Sequence, residues 1–270
     1  MDVDDIMKLG FIGLGNMAKA IMGGLLQSGM FRAEEVWGYD IVAAVREDAG
    51  ERFGICVGES NQQVAENADI IILAVKPQFL EGALSEICSY INQEKLIISI
   101  AAGKSLEWIG ERLPEKTRLI RFMPNTAAFV GESCTAVCKG QFATSEDEKL
   151  AVQICQAFGK AYIIEEKMMD AYSALAGSSG AFIFLVMEAL ADGAVAAGIP
   201  RTMAYELAAQ TVLGAAKLQQ DTGEHPGILK DMVCSPGGTT IEGIRALEKG
   251  GVRGSVMDAI EACVAKSRKL

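Results

Sequence analysis

A glycine-rich turn between a strand pattern and a helix pattern constrains the fold of this chain most. The apolar run at residues 8–12 leads into Gly13-Leu14-Gly15-Asn16-Met17-Ala18, and a helix is predicted at residues 16–28. In such a turn the first glycine makes the tight bend, the second lets a pyrophosphate approach the backbone, and the small third residue lets helix meet strand. The motif favours a dinucleotide-binding α/β fold; glycines that only satisfy a tight connection are the alternative.

The first 166 residues alternate short apolar runs with amphipathic segments. Strands are predicted at residues 8–12, 36–39, 55–57, 70–75, 96–100 and 119–122, with a further strand containing Cys134 and Cys138. Helices are predicted at 16–28, 42–53, 78–90, 105–112 and 145–158. An uninterrupted apolar run such as 70–75 is typical of a strand buried on both faces of a parallel sheet. The alternation predicts an N-terminal Rossmann-type, doubly wound α/β domain over residues 1–166.

Strand patterns stop near residue 166, and residues 167–270 are predicted to be helical. A long apolar helix at 167–198 is interrupted by Gly177-Ser178-Ser179-Gly180, a combination that can kink a helix, and helices follow at 201–221, 227–233, 239–249 and 252–268. A lone helical domain of roughly 100 residues buries only a modest core. We therefore predict an all-α C-terminal dimerisation domain over residues 167–270, in an interlocked homodimer.

Composition excludes several functional classes. A formal charge of −10 argues against nucleic-acid or anionic-membrane partners. The acidic start Met1-Asp2-Val3-Asp4-Asp5 is unlike a signal peptide, and the uninterrupted apolar runs are shorter than the roughly 20 residues that span a bilayer. Seven cysteines without a C-x-x-C pair predict a reduced, cytoplasmic protein. The single histidine, His225, argues against a metal site or a Ser–His or Cys–His centre, and is expected to be a turn or cap residue.

A second ligand-binding helix start is predicted at Ser235-Pro236-Gly237-Gly238-Thr239-Thr240. Apolar residues at helical spacing follow this motif, which places Thr239 and Thr240 in the first turn of a helix. The first N–H groups of a helix lack internal partners and carry partial positive charge, so they bind carboxylates or phosphates. One helix start suits a dinucleotide and the other a small acid, a pairing that predicts a reductase. Ordinary helix capping by the two threonines is the alternative.

Two residues near the predicted dinucleotide site favour different cofactors, NADH in one case and NADPH in the other. Asp40 ends the second predicted strand, where an acid accepts hydrogen bonds from the adenosine ribose and repels a 2′-phosphate, which favours NADH. Arg46 lies close enough along the chain to favour NADPH instead, and Asp40 also suits the cap of the next helix. The loops after the fourth and fifth strands are predicted to line the nicotinamide; they contain Ala74, Val75, Lys76 and Pro77, and Ala101, Ala102 and Gly103. Read in isolation, Lys76 is equally typical of a solvated loop lysine.

Together these segments closely resemble the pyrroline-5-carboxylate reductase family, and the resemblance runs collinearly over nearly the whole chain. The matching pieces are residues 10–17, 75–78, 123–126, 192–195, 225–231 and 235–241. The resemblance implies NADPH-dependent reduction of 1-pyrroline-5-carboxylate to L-proline, with NADH as the alternative cofactor. It also implies a homodimer that can assemble further into a decamer.

The resemblance also implies roles for individual residues. Asn61 would contact the adenosine ribose or its 2′-phosphate. Ser235, Gly238, Thr239 and Thr240 would hold the substrate, and Thr240 would orient the ring nitrogen of the imine for hydride transfer. Hydride would move from the nicotinamide to the carbon of a protonated C=N bond, so the enzyme needs no strong acid of its own.

Two departures from the family pattern leave other functions open. Ser179-Gly180 stands where the family carries Gly-Pro, and Ala127 stands where a proline is common. The first change puts the local geometry near the substrate in doubt and leaves room for an imine reductase acting on a different ring, or for a β-hydroxyacid dehydrogenase-like enzyme. A dinucleotide sensor without turnover is a further alternative, against which the complete 235–240 motif argues.

Overall fold

The computed structural model describes residues 7–269, so the acidic start of the chain lies outside the described residues. The chain forms two compact units. One ends at Gly177 and also includes the chain from Ser267 onward, and the other is Ser178–Lys266. The domain boundary predicted after residue 166 stays a prediction, because the helical segment that follows it is divided between the two units.

The first unit is built on one sheet of eight strands. They are β1 Leu9–Ile12, β2 Val36–Tyr39, β3 Cys56–Val57, β4 Ile70–Leu73, β5 Leu96–Ser99, β6 Arg118–Met123, β7 Ser133–Lys139 and β8 Gly159–Ile163. Their order is β3-β2-β1-β4-β5-β6-β7-β8, and all pairs are parallel except β6 with β7. The chain order reverses between β1 and β4, which is the switch point where doubly wound sheets bind ligands. This topology confirms the predicted Rossmann-type domain.

Both faces of the sheet are buried at its central strands β1, β4 and β5, as the near-continuous apolar run of β4 predicts. Ile70 and Ile72 point into one hydrophobic layer, whereas Ile71 and Leu73 point into the other. Helices cover the faces: α1 Asn16–Gln27, α2 Ala43–Phe53, α3 Asn61–Asn67, α4 Leu80–Ile87, α5 Leu106–Gly110 and α6 Ser145–Gln156. Helix α3 and strand β8 were not predicted from the sequence. The first is short and polar, and the second alternates apolar with polar residues only weakly.

The C-terminal region is helical, as predicted. It contains α7 Met169–Tyr172, α8 Ser179–Ala196, α9 Arg201–Thr222, α10 Pro226–Val233, α11 Thr239–Lys249 and α12 Val252–Ser267. Between α7 and α8 the interruption takes the form of a π-helical segment, Ser173–Ser178. A π-helical turn of this kind often marks a functional site.

One helical run in this region is both long and strongly apolar. By length and composition alone, the run Glu166–Ala196 is sufficient to cross a membrane, although only 11% of its most apolar window is buried. Glycines, serines and single acids break this run without removing its mean hydropathy, so the expectation drawn from uninterrupted apolar runs stays a prediction. Large exposed side chains such as Phe184 and Leu185 lie on α8, and an exposed apolar surface of this kind marks an interaction site.

Candidate functional site

The turn after β1 admits only glycine at its first position. Gly13 has a φ of +92°, and a Cβ atom there would lie 2.9 Å from the carbonyl of Ala74 and from the backbone nitrogen of Val75. The amide of Gly13 donates to the Tyr39 carbonyl at 2.8 Å, and the amide of Ala74 donates to the Ile12 carbonyl at 2.8 Å. The turn is therefore pressed between the ends of β2 and β4, at the switch point of the sheet.

The start of α1 is open where the turn meets the helix. Gly15 is the N-cap, it makes no side-chain cap hydrogen bond, and a Cβ atom on it would meet nothing within 4 Å. Asn16, Met17 and Ala18 supply the first N–H groups of the helix, which have no intrahelical partner. Open space in front of free N–H groups and the positive end of the helix dipole fits the pyrophosphate of a dinucleotide.

Asp40 is bonded to the glycine turn itself. Its Oδ2 accepts a hydrogen bond from the backbone N–H of Leu14 at 2.9 Å, and its Oδ1 accepts from the N–H of Val42 at 3.0 Å. Val42, not Asp40, is the N-cap of α2. Arg46 donates from Nη1 to the Asp40 backbone carbonyl at 2.6 Å, and its guanidinium lies 5.2 Å from the centroid of the Tyr39 ring.

Asn61 lies at the start of α3, just after β3. Its Nδ2 donates to Oε2 of Glu86 on α4 at 2.8 Å. Ser60 caps the helix by accepting a hydrogen bond from the N–H of Gln63 at 3.2 Å. The amide that the family resemblance assigns to the ribose or its 2′-phosphate therefore contacts a carboxylate of the chain.

The two predicted nicotinamide loops follow the adjacent strands β4 and β5, at the same edge as the glycine turn. Lys76 is exposed and begins a single 3-10 turn, in which the N–H of Phe79 donates to the Lys76 carbonyl at 2.9 Å. After β5, the N–H of Ala101 donates to Oγ of Ser99 at 3.3 Å, and Gly103 has a φ of +72°. The first unit thus brings the predicted cofactor residues to one edge of the sheet.

The 235–240 motif forms a β-turn that leads straight into α11. The N–H of Gly238 donates to the Ser235 carbonyl at 3.0 Å, and Gly237 has a φ of +70°. Proline at the second position and glycine with positive φ at the third are the signature of a type II turn. Gly238 is the N-cap of α11 and offers no side-chain cap.

Three hydroxyls surround this helix start. Within residues 7–269, the side chains of Ser235, Thr239 and Thr240 make no hydrogen bond to other groups of the chain, and Thr240 is half-buried. The structure therefore does not support the alternative that Thr239 and Thr240 cap their own helix. The turn gathers free hydroxyls and free N–H groups in one place, the arrangement that a small carboxylate requires.

His225 has a structural role in the described chain. It is the N-cap of α10, and its Nδ1 accepts a hydrogen bond from the N–H of Gly227 at 3.0 Å. This confirms the prediction of a turn or cap residue. The described residues contain no group of three His, Cys, Asp or Glu side chains arranged to hold a metal ion.

Asn125 is a residue to which the sequence analysis assigned no role. It follows β6 at the cofactor edge, its Nδ2 donates to the carbonyl of Ala176 at 2.9 Å, and its Oδ1 accepts from the N–H of Cys134 at 3.1 Å. Asn125 therefore ties the π-helical segment to the edge of the sheet. Its position directly after a strand was the available signal.

Two cavities of the first unit lie away from the predicted site residues. A cavity of 1180 Å³ lies beside α5, β7 and the end of β8, where Leu106, Cys138 and Glu166 contribute to its lining. A second, of 590 Å³, lies beside α1 and is lined in part by Gly24 and Phe129. No predicted site residue lines either cavity.

The first unit defines a class of protein: a Rossmann-type oxidoreductase with a dinucleotide site at its switch point. A family model described as NADP oxidoreductase, coenzyme F420-dependent, matches residues 8–103, and one described as pyrroline-5-carboxylate reductase dimerisation matches residues 166–270. Pyrroline-5-carboxylate reductase of Escherichia coli (strain K12) is 48% identical over 267 residues, covering 97% of this chain and 98% of the relative. The chain belongs to the pyrroline-5-carboxylate reductase family.

Solved structures agree with this assignment. A pyrroline-5-carboxylate reductase from Coxiella burnetii is 32% identical with a TM-score of 0.93, and covers 98% of both chains. Plasmodium falciparum pyrroline carboxylate reductase with NADP bound is 31% identical with a TM-score of 0.88, and covers 99% of both chains. These findings confirm the family resemblance that the sequence motifs predicted.

Proposed function

We propose that this chain reduces 1-pyrroline-5-carboxylate to L-proline with NADPH or NADH, the last step of proline biosynthesis. Family membership supports the reaction. The observation that carries the proposal is the start of α11, where the type II turn, the free N–H groups and three unbonded hydroxyls share one short stretch. A helix end with these groups suits a small cyclic acid.

The cofactor binds along the carboxyl edge of the first unit in this proposal. The N–H groups of residues 15–18 hold the pyrophosphate, and the space before Gly15 receives it. The loops of residues 74–77 and 101–103 line the nicotinamide. Asp40 and Asn61 lie at the adenosine end, beyond β2 and β3. When bound, the reduced nicotinamide supplies the hydride that adds to the C=N carbon of the substrate.

The substrate is held by the start of α11. Its carboxylate accepts hydrogen bonds from the first N–H groups of the helix and from the hydroxyls of Ser235 and Thr239. Gly238 leaves room for this approach because it carries no side chain. The positive end of the helix dipole favours the carboxylate in the same position.

Thr240 orients the imine. Its hydroxyl hydrogen-bonds the ring nitrogen and fixes the C=N carbon in the path of the hydride, a contribution from positioning. The substrate arrives protonated on nitrogen, so the electron pair of the C=N π bond moves to that nitrogen as the C–H bond forms, and a secondary amine results. No acid of the chain is consumed, which agrees with the cap role of His225.

The proposal includes a homodimer through the helical region, which can assemble further into a decamer. The exposed apolar surface of α8 and the dimerisation match over residues 166–270 support the dimer. We also propose a cytoplasmic location, which is supported by seven cysteines that are all unpaired. The formal charge of −10 supports the further proposal that the chain binds neither nucleic acid nor an anionic membrane.

The test is oxidation of NADPH and of NADH by the purified protein with 1-pyrroline-5-carboxylate, with proline identified by mass spectrometry. We expect saturable oxidation and one proline formed for each nicotinamide oxidised. A six-membered cyclic imine acid serves as the comparison substrate. Turnover of that compound alone would establish a different imine reductase, and nucleotide binding without any turnover would establish a sensor.

A further inference from the structure

We propose that Asp40 makes this chain prefer NADH to NADPH. The inference rests on the proposed function only in taking the dinucleotide site to be the turn at residues 13–18. It concerns the choice between two cofactors at the ribose end of that site, where the structure fixes a negative charge.

The carboxylate of Asp40 is held in place by the backbone. One oxygen accepts from the N–H of Leu14 and the other from the N–H of Val42, at 2.9 and 3.0 Å. Leu14 stands between the two glycines of the turn, so the carboxylate charge lies directly beside the place where the dinucleotide binds. Because both oxygens are bonded, the group cannot turn aside to admit a phosphate without losing two hydrogen bonds.

The same carboxylate still accepts further hydrogen bonds. An ionised carboxylate has about four acceptor positions, of which the two backbone N–H groups use two. The 2′- and 3′-hydroxyls of the NADH ribose are donors that match the remaining positions. A 2′-phosphate offers about −1.5 to −2 charges and three acceptor oxygens instead. Such a group is repelled by a carboxylate a few ångströms away.

The groups that would hold a 2′-phosphate are already engaged by the chain. The Arg46 guanidinium donates to the Asp40 carbonyl at 2.6 Å and stacks on Tyr39. The Asn61 amide donates to Glu86 at 2.8 Å. Arg46 is held by the backbone carbonyl of Asp40, and Asn61 by the carboxylate of Glu86. Each group would have to give up its contact before it could hold a 2′-phosphate.

The experiment measures the dissociation constants of NADH and NADPH by nicotinamide fluorescence, without substrate, for the wild-type protein, Asp40→Asn and Arg46→Gln. Asparagine keeps one oxygen that accepts from Leu14, so this variant removes the charge and gives up only the hydrogen bond from Val42. We expect the wild type to bind NADH about tenfold more tightly than NADPH, and Asp40→Asn to remove most of that ratio by tightening NADPH. Arg46→Gln should leave the ratio within about threefold of wild type.

Two results would overturn the inference. One is that the wild-type protein binds NADPH more tightly than NADH. If Arg46→Gln then reversed that preference, the Arg46 guanidinium would be the group that holds the 2′-phosphate. The other is an NADH preference that Asp40→Asn does not change. Failure to bind either nucleotide is a separate result, because it would contradict the dinucleotide site itself and with it the proposed function.

Discussion

A Cβ atom on Gly238 would lie 2.3 Å from Oγ of Ser235 and 3.2 Å from its carbonyl oxygen. The serine hydroxyl therefore occupies the space that glycine leaves free at the start of α11. The Ser235 hydroxyl can keep this position only because residue 238 is a glycine.

Gly238→Ala should force the Ser235 hydroxyl out of its place. We expect the KM for the imine acid to rise about tenfold or more, as the loss of one hydrogen bond to a charged group implies. The affinity for the dinucleotide should stay unchanged. The matched control is Gly243→Ala in the same helix, where a Cβ atom meets nothing within 4 Å. Steady-state kinetics of both variants make the comparison, and equal KM values would remove Ser235 from the substrate site.

Replacing the two glycines of the N-terminal turn by alanine should have different effects: Gly13→Ala should lower stability, whereas Gly15→Ala should lower dinucleotide affinity. Gly13→Ala places a side chain against backbone at a φ of +92°, which should lower the free energy of unfolding by about 1–3 kcal/mol. Gly15→Ala meets no atom of the chain, has an ordinary φ of −67°, and should change stability by less than about 1 kcal/mol. Its methyl group enters the space assigned to the pyrophosphate, so we expect dinucleotide affinity to fall about tenfold or more. Calorimetry and urea unfolding separate the two effects. Wild-type affinity in Gly15→Ala would place the pyrophosphate elsewhere.

The carboxylate of Glu166 holds a buried guanidinium. Its Oε1 accepts from Nη1 of Arg121 at 2.9 Å and from the N–H of Leu106 at 2.8 Å, and Arg121 is only 7% exposed. Glu166→Ala should lower the free energy of unfolding by about 2–4 kcal/mol, because it leaves a buried charge unpaired. The control is Glu165→Ala, which breaks only an exposed pair with Lys167 and should cost less than about 1 kcal/mol. Similar urea midpoints for the two variants would contradict this account.

Burial should protect two cysteines from alkylation. It raises the pKa of the Cys138 thiol to about 11, with a further contribution from the Glu166 carboxylate, and it raises the pKa of Cys155 well above the usual range. Below these values the thiols stay protonated and react slowly with iodoacetamide. The other five cysteines are only half-buried: Cys56, Cys88, Cys134, Cys234 and Cys263. Peptide mass mapping at mildly alkaline pH should show these five labelled first, and Cys138 and Cys155 labelled only after unfolding. Early labelling of Cys155 would show that α6 opens more readily than its packing implies.

Much of the fold followed from patterns that arise locally. The run at residues 70–75 predicted a strand buried on both faces, and the structure divides its alternate residues between two hydrophobic layers. The type II turn and the start of α11 were predictable because proline and glycine restrict the backbone before any tertiary contact forms. Helix α3 and strand β8 were missed, since their few residues carry little periodicity.

The contacts of Asp40, Asn61 and Asn125 depend on tertiary packing instead. Asp40 was read as either a ribose ligand or a helix cap, and no local pattern shows that its carboxylate accepts from Leu14, distant in sequence. The amide of Asn61 is engaged by Glu86 from another helix. Asn125 reaches the π-helical segment through a contact that only the folded chain creates. Such pairings are set by how elements pack, which the sequence does not display.

The measurement that tests the central claim most directly compares Thr240→Val with Thr240→Ser. Valine keeps the shape of threonine and removes the hydroxyl that we propose orients the imine, whereas serine keeps the hydroxyl. We predict that Thr240→Val lowers kcat about 10- to 100-fold, that Thr240→Ser stays near wild type, and that both bind the dinucleotide as tightly as the wild type. A wild-type kcat in Thr240→Val would contradict the account, as would an equal loss of turnover and of dinucleotide affinity.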